Sequence, residues 1–378
     1  MHTGAIAPTN CRRRQSPGGR PYLEALRLRA TAARMHAIFG GKNPHPQSII
    51  GGRCYVCNGS FAGTDGGISI YLEETQNFIK NVYIPDLLAV ASFYKDWGGI
   101  GGTTNFLTWG EFPQSKDEPD SLFFPRGFIK ARDLEKVLAA VQEKVTEHVA
   151  RGWYEKGDAK HPYEGETKPA HGEYEPDDGK YTWIKAPRFD GNACEVGPLA
   201  RVLVAYAKGH KEVKATVDSV AKQLDIPLTA LFSTLGRTAA RGIETLVIGE
   251  QMEGWVNELI GNVKNGDKKV YQRWEMPKEA MGYGLNDVPR GALGHWIKIK
   301  DKKIENYQYV VPSTWNLGPR CAKGTLGPVE EALIGTPIAD PKQPIEVLRT
   351  VHSFDPCIAC AIHVIDPASN DVYKVRVI

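Results

Sequence analysis

Apolar positions recur along most of this chain at three- or four-residue spacing, the period of a helix face. Leu23, Leu26, Ala30, Ala33 and Ala37 mark a first helix, opened by Pro21 and stopped by Gly40-Gly41. A Gly-rich loop follows between Gly51 and Gly67, holding Cys54 and Cys57. Two more helices are expected from about Ile70 to Tyr83 and from about Pro85 to Lys95. The stretch Gly98 to Arg126 is turn-rich, with short β-like pieces such as Asn105 to Trp109. Leu134, Val137, Leu138, Val141, Val145 and Val149 predict an amphipathic helix about four turns long.

Residues 153–192 are polar and aromatic, with few aliphatics, and are expected to wrap the surface on Trp153, Tyr181 and Trp183. Helices resume over Pro198–Lys208, Val213–Leu224 and Thr229 to about Val263. Ile297 and Ile299 alternate with lysines, Asp301-Lys302 can turn, and Ile304 to Val311 continues extended, which predicts a β-hairpin. A helix from about Pro344 to Val351 leads into the last cysteine pair. The fold class is therefore mostly α with small antiparallel β elements, without internal repeats.

Composition narrows the function classes. The 378 residues carry 47 Lys+Arg against 44 Asp+Glu, a net +3 that is too weak for a nucleic-acid or lipid-surface protein. Seven cysteines are too few for a disulfide scaffold. No apolar run reaches the ~20 residues of a membrane span, so no direct membrane span is expected. Residues 1–20, with Arg12, Arg13, Arg14 and Arg20, lack the apolar segment of a secretory signal and read as a disordered leader.

The chemistry concentrates in His352-Ser353-Phe354-Asp355-Pro356-Cys357-Ile358-Ala359-Cys360-Ala361-Ile362-His363. Asp355 can cap a helix and Pro356 suits its first position, which would put Cys357 and Cys360 on one face. The helix dipole would favour thiolates there, and two thiolates at that spacing can grip a soft metal. His363, about 120° round the helix from Cys357, would serve a different metal or hydrogen bond. A bare C-x-x-C also occurs in inert buried thiol pairs.

The surrounding string resembles the C-terminal signature of nickel–iron hydrogenase large subunits, D-P-C-x-x-C-x-x-H. Met35 to Gln47 is similar to that family's F-G-G-K-x-P-H segment. Further similar stretches are Tyr83–Val90, Phe232–Arg241, Pro289–Trp296 and Val310–Trp315. The resemblance runs from about residue 21 to the end and implies the hydrogenase large-subunit fold, in part, over residues 21–363.

It further implies reversible splitting of dihydrogen at a nickel bridged by two thiolates to an iron that carries CO and CN ligands. Cys357 would be a terminal nickel thiolate, able to take up the proton, and Cys360 a bridging one. Cysteine at 357 implies the ordinary centre and not the selenocysteine version. Arg290 would hang over the vacant metal position, its fixed charge polarising bound hydrogen. Val311, Pro312 and Ser313 would wall the diatomic ligands, Ser313 donating to cyanide. His363 and the Tyr309 carbonyl would bind a separate magnesium (or iron).

The implied partners are an iron–sulfur small subunit, a maturation endopeptidase and nickel-insertion proteins. The small subunit would take the electrons, since each cubane needs about four cysteines. The endopeptidase would remove residues 364–378, whose Val/Ile alternation reads alone as a C-terminal strand. The string matches favour the uptake, periplasmic group, exported folded with its small subunit, with membrane association through partners and the unprocessed precursor in the cytoplasm.

The family's other two cysteine ligands come from an R-x-C-G-x-C motif, which this sequence lacks. Arg53-Cys54-Tyr55-Val56-Cys57 has no glycine after its first cysteine and follows the F-G-G-K segment, where the family's motif precedes it. Residues 1–20 are thus expected to be unrelated to the family, joined to the latter two-thirds of a large subunit. Three other readings stand beside the hydrogenase: an inactive remnant that binds a small subunit, a structural zinc protein using Cys54, Cys57, Cys357 and Cys360, and a thiol–disulfide protein using Cys357 and Cys360.

Overall fold

The computed structural model describes residues 21–47, 49–50, 53–54, 61–115, 117–118, 120–172, 179–266, 274–357, 361–365 and 372–376. The chain folds as two compact units, residues 1–93 with 242–276, and residues 94–241 with 277–378.

The first unit is helical. α1 (Pro21–Gly40) buries Leu28, Thr31 and Met35. A short antiparallel pair, β1 (Ile49–Ile50) and β2 (Arg53–Cys54), replaces part of the expected loop. α2 (Phe61–Phe78) starts earlier than the expected Ile70, passes through a π-helical turn at Ile79–Tyr83 and runs on into α3 (Ile84–Ala91). The two helices expected here are therefore one continuous path. Pro85, which lacks an N–H, falls just where the π-helical turn gives way to α3, an irregularity in the hydrogen-bond ladder that accommodates it. Gln76 Nε2 donates to the Gly249 carbonyl at 2.7 Å, tying α2 to the residues that return to this unit after 242.

The second unit holds the remaining small sheets, their described strand pairs all antiparallel. β3 (Phe106–Thr108), β6 (Gly127–Ile129) and β7 (Val137–Leu138) form one sheet, and β4 (Glu111–Pro113) pairs with β5 (Leu122–Phe124). β8 (Val145–His148) pairs with β9 (Ala186–Phe189). The helix expected over Leu134–Val149 is absent: β7, a 3-10 turn at Gln142–Lys144 and β8 stand in its place. Its apolar positions are mostly β-branched valines, and within β8 burial alternates, with Val145 and Glu147 inward. Partner strands β6 and β9 thus decided a segment whose helical period was real but weak in propensity.

α4 (Pro198–Ala207), α5 (Lys211–Leu224) and α6 (Thr234–Lys264) follow the expected order, with a 3-10 turn at Leu228–Leu231 before α6, whose residues from 242 onward belong to the first unit. A three-stranded meander then runs through β10 (Glu279–Val288), β11 (Gly291–Lys300) and β12 (Lys303–Val310). The predicted hairpin is β11–β12, and its turn residues Asp301 and Lys302 both have positive φ, 49° and 61°. Such left-handed pairs match the twist of the flanking strands. α7 (Pro312–Leu317), α8 (Pro328–Leu333), α9 (Ile345–Ser353) and a terminal hairpin of β13 (Ala361–Ile365) and β14 (Val372–Arg376) complete the unit.

The core of this unit is aromatic: Trp109, Phe128, Phe189, Trp296 and Trp315 are fully buried. Trp109 meets Trp315 edge-on, with ring centroids 6.5 Å apart. Trp296 Nε1 donates to Gln142 Oε1 at 2.7 Å, so the buried indole keeps a partner. The described residues of segment 153–192 are largely irregular; Trp153 and Trp183 pack edge-on at 5.2 Å, and Tyr181 donates to Glu330 at 2.5 Å. Among the described residues no helix is long and apolar enough to cross a membrane.

Candidate functional site

Arg290 occupies the second position of the two-residue turn between β10 and β11, where Val288 faces Gly291. A hairpin tip projects its side chain clear of the sheet. Two glycines make the approach behind it possible. Gly291 has φ +129° and would drive a Cβ to 2.5 Å from the Gly197 nitrogen. Gly197 has φ +123° and lies against the Arg290 carbonyl, 2.9 Å from where its own Cβ would stand. Side chains rarely adopt either conformation, and there is no space for one.

The turn is held from α4. Arg201, only 3% exposed, donates to Asp287 at 3.2 Å and to the carbonyls of Val288 and Pro289 at 2.9 Å. Asp287 also accepts from the Thr108 hydroxyl and from the Gly110 amide at 2.9 Å. Its own amide donates to Glu111 Oε2 at 2.8 Å, while burial pushes the Glu111 carboxyl above its ordinary value.

The cysteine-bearing segment follows α9. Asp355 does not cap a new helix, contrary to expectation; it lies beyond the end of α9 with φ +52°, and residues 355–357 are not helical. Arg290 Nε donates to the Asp355 carbonyl at 2.9 Å and stands 3.1 Å from its carboxylate, and Nη2 donates to that carboxylate at 3.3 Å. Both side chains remain roughly two-fifths exposed. Aspartate here anchors the arginine, a use that helix-cap statistics do not suggest.

Val311, Pro312 and Ser313 form the start of α7, with Val311 as its N-cap and Trp315 driving it into the aromatic core. Ser313 is 5% exposed, and its hydroxyl accepts from the Cys357 amide at 3.1 Å. The Cys357 thiol is free and exposed. The structure therefore brings together Arg290, Ser313 and Cys357, from three separate stretches, around residues 355–357.

Tyr309 precedes this group in β12 opposite His295; its exposed ring lies 6.0 Å from the Tyr307 ring. The backbone of His363 sits in β13 opposite Lys374. Cys360 and Cys57 lie outside the described residues, and Cys54 falls in β2. Cys194 and Cys321 are free and buried, and burial lifts the Cys194 thiol far above its ordinary value.

Sequence reasoning does not single out Glu195 and Arg201. Their one signal is two charged residues flanking the Gly197-Pro198 start of α4 on an otherwise apolar stretch, a pattern that calls for buried partners.

No three His, Cys, Asp or Glu side chains converge on one point among the described residues. The donor set thus fits a nickel–iron centre in part: an exposed thiol on a segment held by Ser313 and, two residues earlier, by Arg290 suits one edge of a soft-metal site. A second thiolate of the signature is Cys360, and an R-x-C-G-x-C pair is not in this sequence.

Comparison with known proteins places the chain. The sequence model of a family described as nickel-dependent hydrogenase matches residues 19–363. The uptake hydrogenase large subunit of Rhizobium leguminosarum bv. viciae is 44% identical over 94% of this chain, and the hydrogenase-1 large chain of Escherichia coli (strain K12) is 40% identical over the same share. In both cases the chain spans 66% of the relative, just under two thirds of its length. The structure of the NiFeSe hydrogenase of Dm. baculatum is similar with a TM-score of 0.77 and 34% identity, covering 89% of this chain and 67% of that one. This chain belongs to the nickel-dependent hydrogenase family.

Proposed function

We propose that this chain supplies the active-site part of the catalytic large subunit of an uptake-type nickel–iron hydrogenase. The reaction is reversible heterolysis of dihydrogen, with the balance H2 to two protons and two electrons. The electrons leave through an iron–sulfur small subunit. The observation that carries this reading is the bond from Arg290 to Asp355, which joins the P-R-G turn to the D-P-C segment.

Cys357 and Cys360 would hold the nickel–iron centre, and Val311, Pro312 and Ser313 would line the side that takes CO and CN. Tyr309, by its carbonyl, and His363 would hold a magnesium (or iron). When bound, the bimetallic centre supplies the Lewis acidity and electron capacity that split dihydrogen.

The chain's own residues do the rest. The Cys357 sulfur takes up the proton, as a thiolate can and a thiol cannot. Arg290 presents guanidinium donors that Asp355 keeps from swinging away. Ser313 accepts from the Cys357 amide, so its own hydroxyl hydrogen stays free to donate to an anionic ligand. The remaining metal ligands come from outside these segments. The family assignment weighs against the zinc and dithiol readings.

Periplasmic placement, export with the small subunit, dependence on nickel-insertion proteins and removal of residues 364–378 by an endopeptidase belong to the same proposal. The closeness to uptake-type large subunits supports them.

The test is nickel, iron and zinc per chain in protein purified from its native host, with hydrogen-dependent dye reduction on the same sample. About one nickel with iron, and turnover that Arg290→Gln lowers by about 10²–10³, is the expected result. Zinc in place of nickel would overturn it. A folded, metal-free chain that still binds a small subunit would favour the remnant reading.

A further inference from the structure

The three site segments are separate in sequence, yet a single stretch, Glu195 to Arg201, touches two of them directly and reaches the third through Arg237. Glu195 is 2% exposed and receives a two-pronged contact from Arg237, Nε at 2.8 Å and Nη2 at 2.7 Å. Arg237 Nη1 donates to the Gly101 carbonyl at 2.6 Å and reaches the Ser353 hydroxyl at 3.5 Å. Its guanidinium carbon lies 3.7 Å from the centroid of the Phe354 ring. Glu195 thus acts, through Arg237, on the residues immediately before Asp355.

Val196 is bonded to α7 on both sides: its amide donates to Asn316 Oδ1 and its carbonyl accepts from Asn316 Nδ2, each at 2.9 Å. Gly197 lies against the Arg290 carbonyl, and Arg201 holds the carbonyls of the two residues before Arg290. Closely spaced residues therefore fix the Ser353–Cys357 segment, the Pro312–Asn316 helix and the Arg290 turn.

Stability alone does not explain this arrangement. A buried Arg–Glu pair contributes little over well-packed apolar residues, because desolvation offsets the attraction. What such a pair supplies is geometry: a planar fork with fixed donor directions admits one placement of its partners.

We propose that Glu195–Arg201 is the positioning element that sets these three segments in register, Glu195 through Arg237 and Arg201 directly. The purpose assigned to that register rests on the hydrogenase reading; the register itself does not.

The test is residue-resolved hydrogen exchange on the full chain, comparing Glu195→Gln, Arg237→Lys and Arg201→Lys with Glu147→Gln. The last alters a buried ion pair with Lys185, 3.6 Å long, that touches none of the three segments. In Glu195→Gln and Arg237→Lys, exchange at Phe354, Asp355 and Cys357 is expected to rise about tenfold over the rest of the unit. In Arg201→Lys the rise falls on residues 288–291, and in Glu147→Gln on neither. A flat map in the first three variants overturns the proposal. So does an equal rise throughout the unit, or loss of cooperative folding in both Glu195→Gln and Arg237→Lys, since either makes the stretch ordinary core. Where the metal-loaded protein turns over, the first three variants lower kcat and leave KM unchanged. Wild-type protein without nickel or turnover would sink the hydrogenase reading and leave the exchange result standing.

Discussion

Arg290 and Asp355, 65 residues apart, meet through backbone and carboxylate at once: Arg290 Nε donates to the Asp355 carbonyl at 2.9 Å and lies 3.1 Å from its side chain. Because both side chains are about two-fifths exposed, the pair adds little to stability, within about 1 kcal/mol. Its value is placement. Arg290→Gln is therefore expected to leave the thermal midpoint nearly unchanged and to lower hydrogen turnover by about 10²–10³, the usual cost of removing one fixed donor. Calorimetry and dye reduction on one preparation check both halves; a large fall in midpoint would make Arg290 structural.

Arg201 behaves in the opposite way. It is buried, paired with Asp287 at 3.2 Å, and donates to two carbonyls. Arg201→Met leaves a buried carboxylate without its cation and is expected to cost about 3–5 kcal/mol in urea unfolding. Arg201→Met with Asp287→Asn should recover part of that loss, because both charges are then gone.

Gly291 offers a purely steric test. With φ +129° and a Cβ position 2.5 Å from the Gly197 nitrogen, alanine is strained and has no room. Gly291→Ala is expected to destabilise by about 1–3 kcal/mol. It should also displace Arg290, so that turnover falls further than Gly282→Ala causes in the neighbouring strand β10, where the nearest atom is 3.9 Å away. Equal effects of the two variants would remove the special role of the approach.

These contrasts show what the sequence makes legible and what it hides. The Asp301-Lys302 turn carries its own chemistry, so the β11–β12 hairpin can be read locally. The D-P-C string, the arginine turn and the V-P-S wall are recognisable by resemblance. The helix expected over Leu134–Val149 fails because its valines suit either period and the partners β6 and β9 come from elsewhere in the chain. Asp355 looks like a helix cap because cap statistics are local, whereas its partner Arg290 lies in another hairpin. Glu195 and Arg201 escape notice for the same reason: a buried charge shows its meaning only beside its counterion.

Glu147 gives a pH signature away from the site. Burial is the largest influence on its carboxyl and pushes it above the ordinary value of 4.5; Lys185 at 3.6 Å only partly offsets this. The folded state therefore holds this proton more tightly than the unfolded state. Stability from this group is fully present below the unfolded value and is lost as pH rises from there through the raised folded value. Glu147→Gln should flatten that part of the curve of thermal midpoint against pH. An unchanged curve would mean that Lys185 keeps Glu147 ionised throughout.

Ser313 tests how finely the cysteine segment is held. Its hydroxyl, 5% exposed, accepts from the Cys357 amide at 3.1 Å. Ser313→Ala removes the acceptor and leaves that amide to find water at the open edge of the site, so the cost is about 1 kcal/mol and not the larger penalty of a sealed orphan. Exchange of the Cys357 amide should rise about fivefold, the same free energy expressed as an equilibrium. Ser313→Thr keeps the hydroxyl and should restore protection. In metal-loaded protein the alanine variant should also shift the vibrational bands of any cyanide ligand, as the proposed role of the Ser313 hydroxyl requires. Restored protection in Ser313→Thr without restored bands would separate the hold on Cys357 from the contact to the ligand.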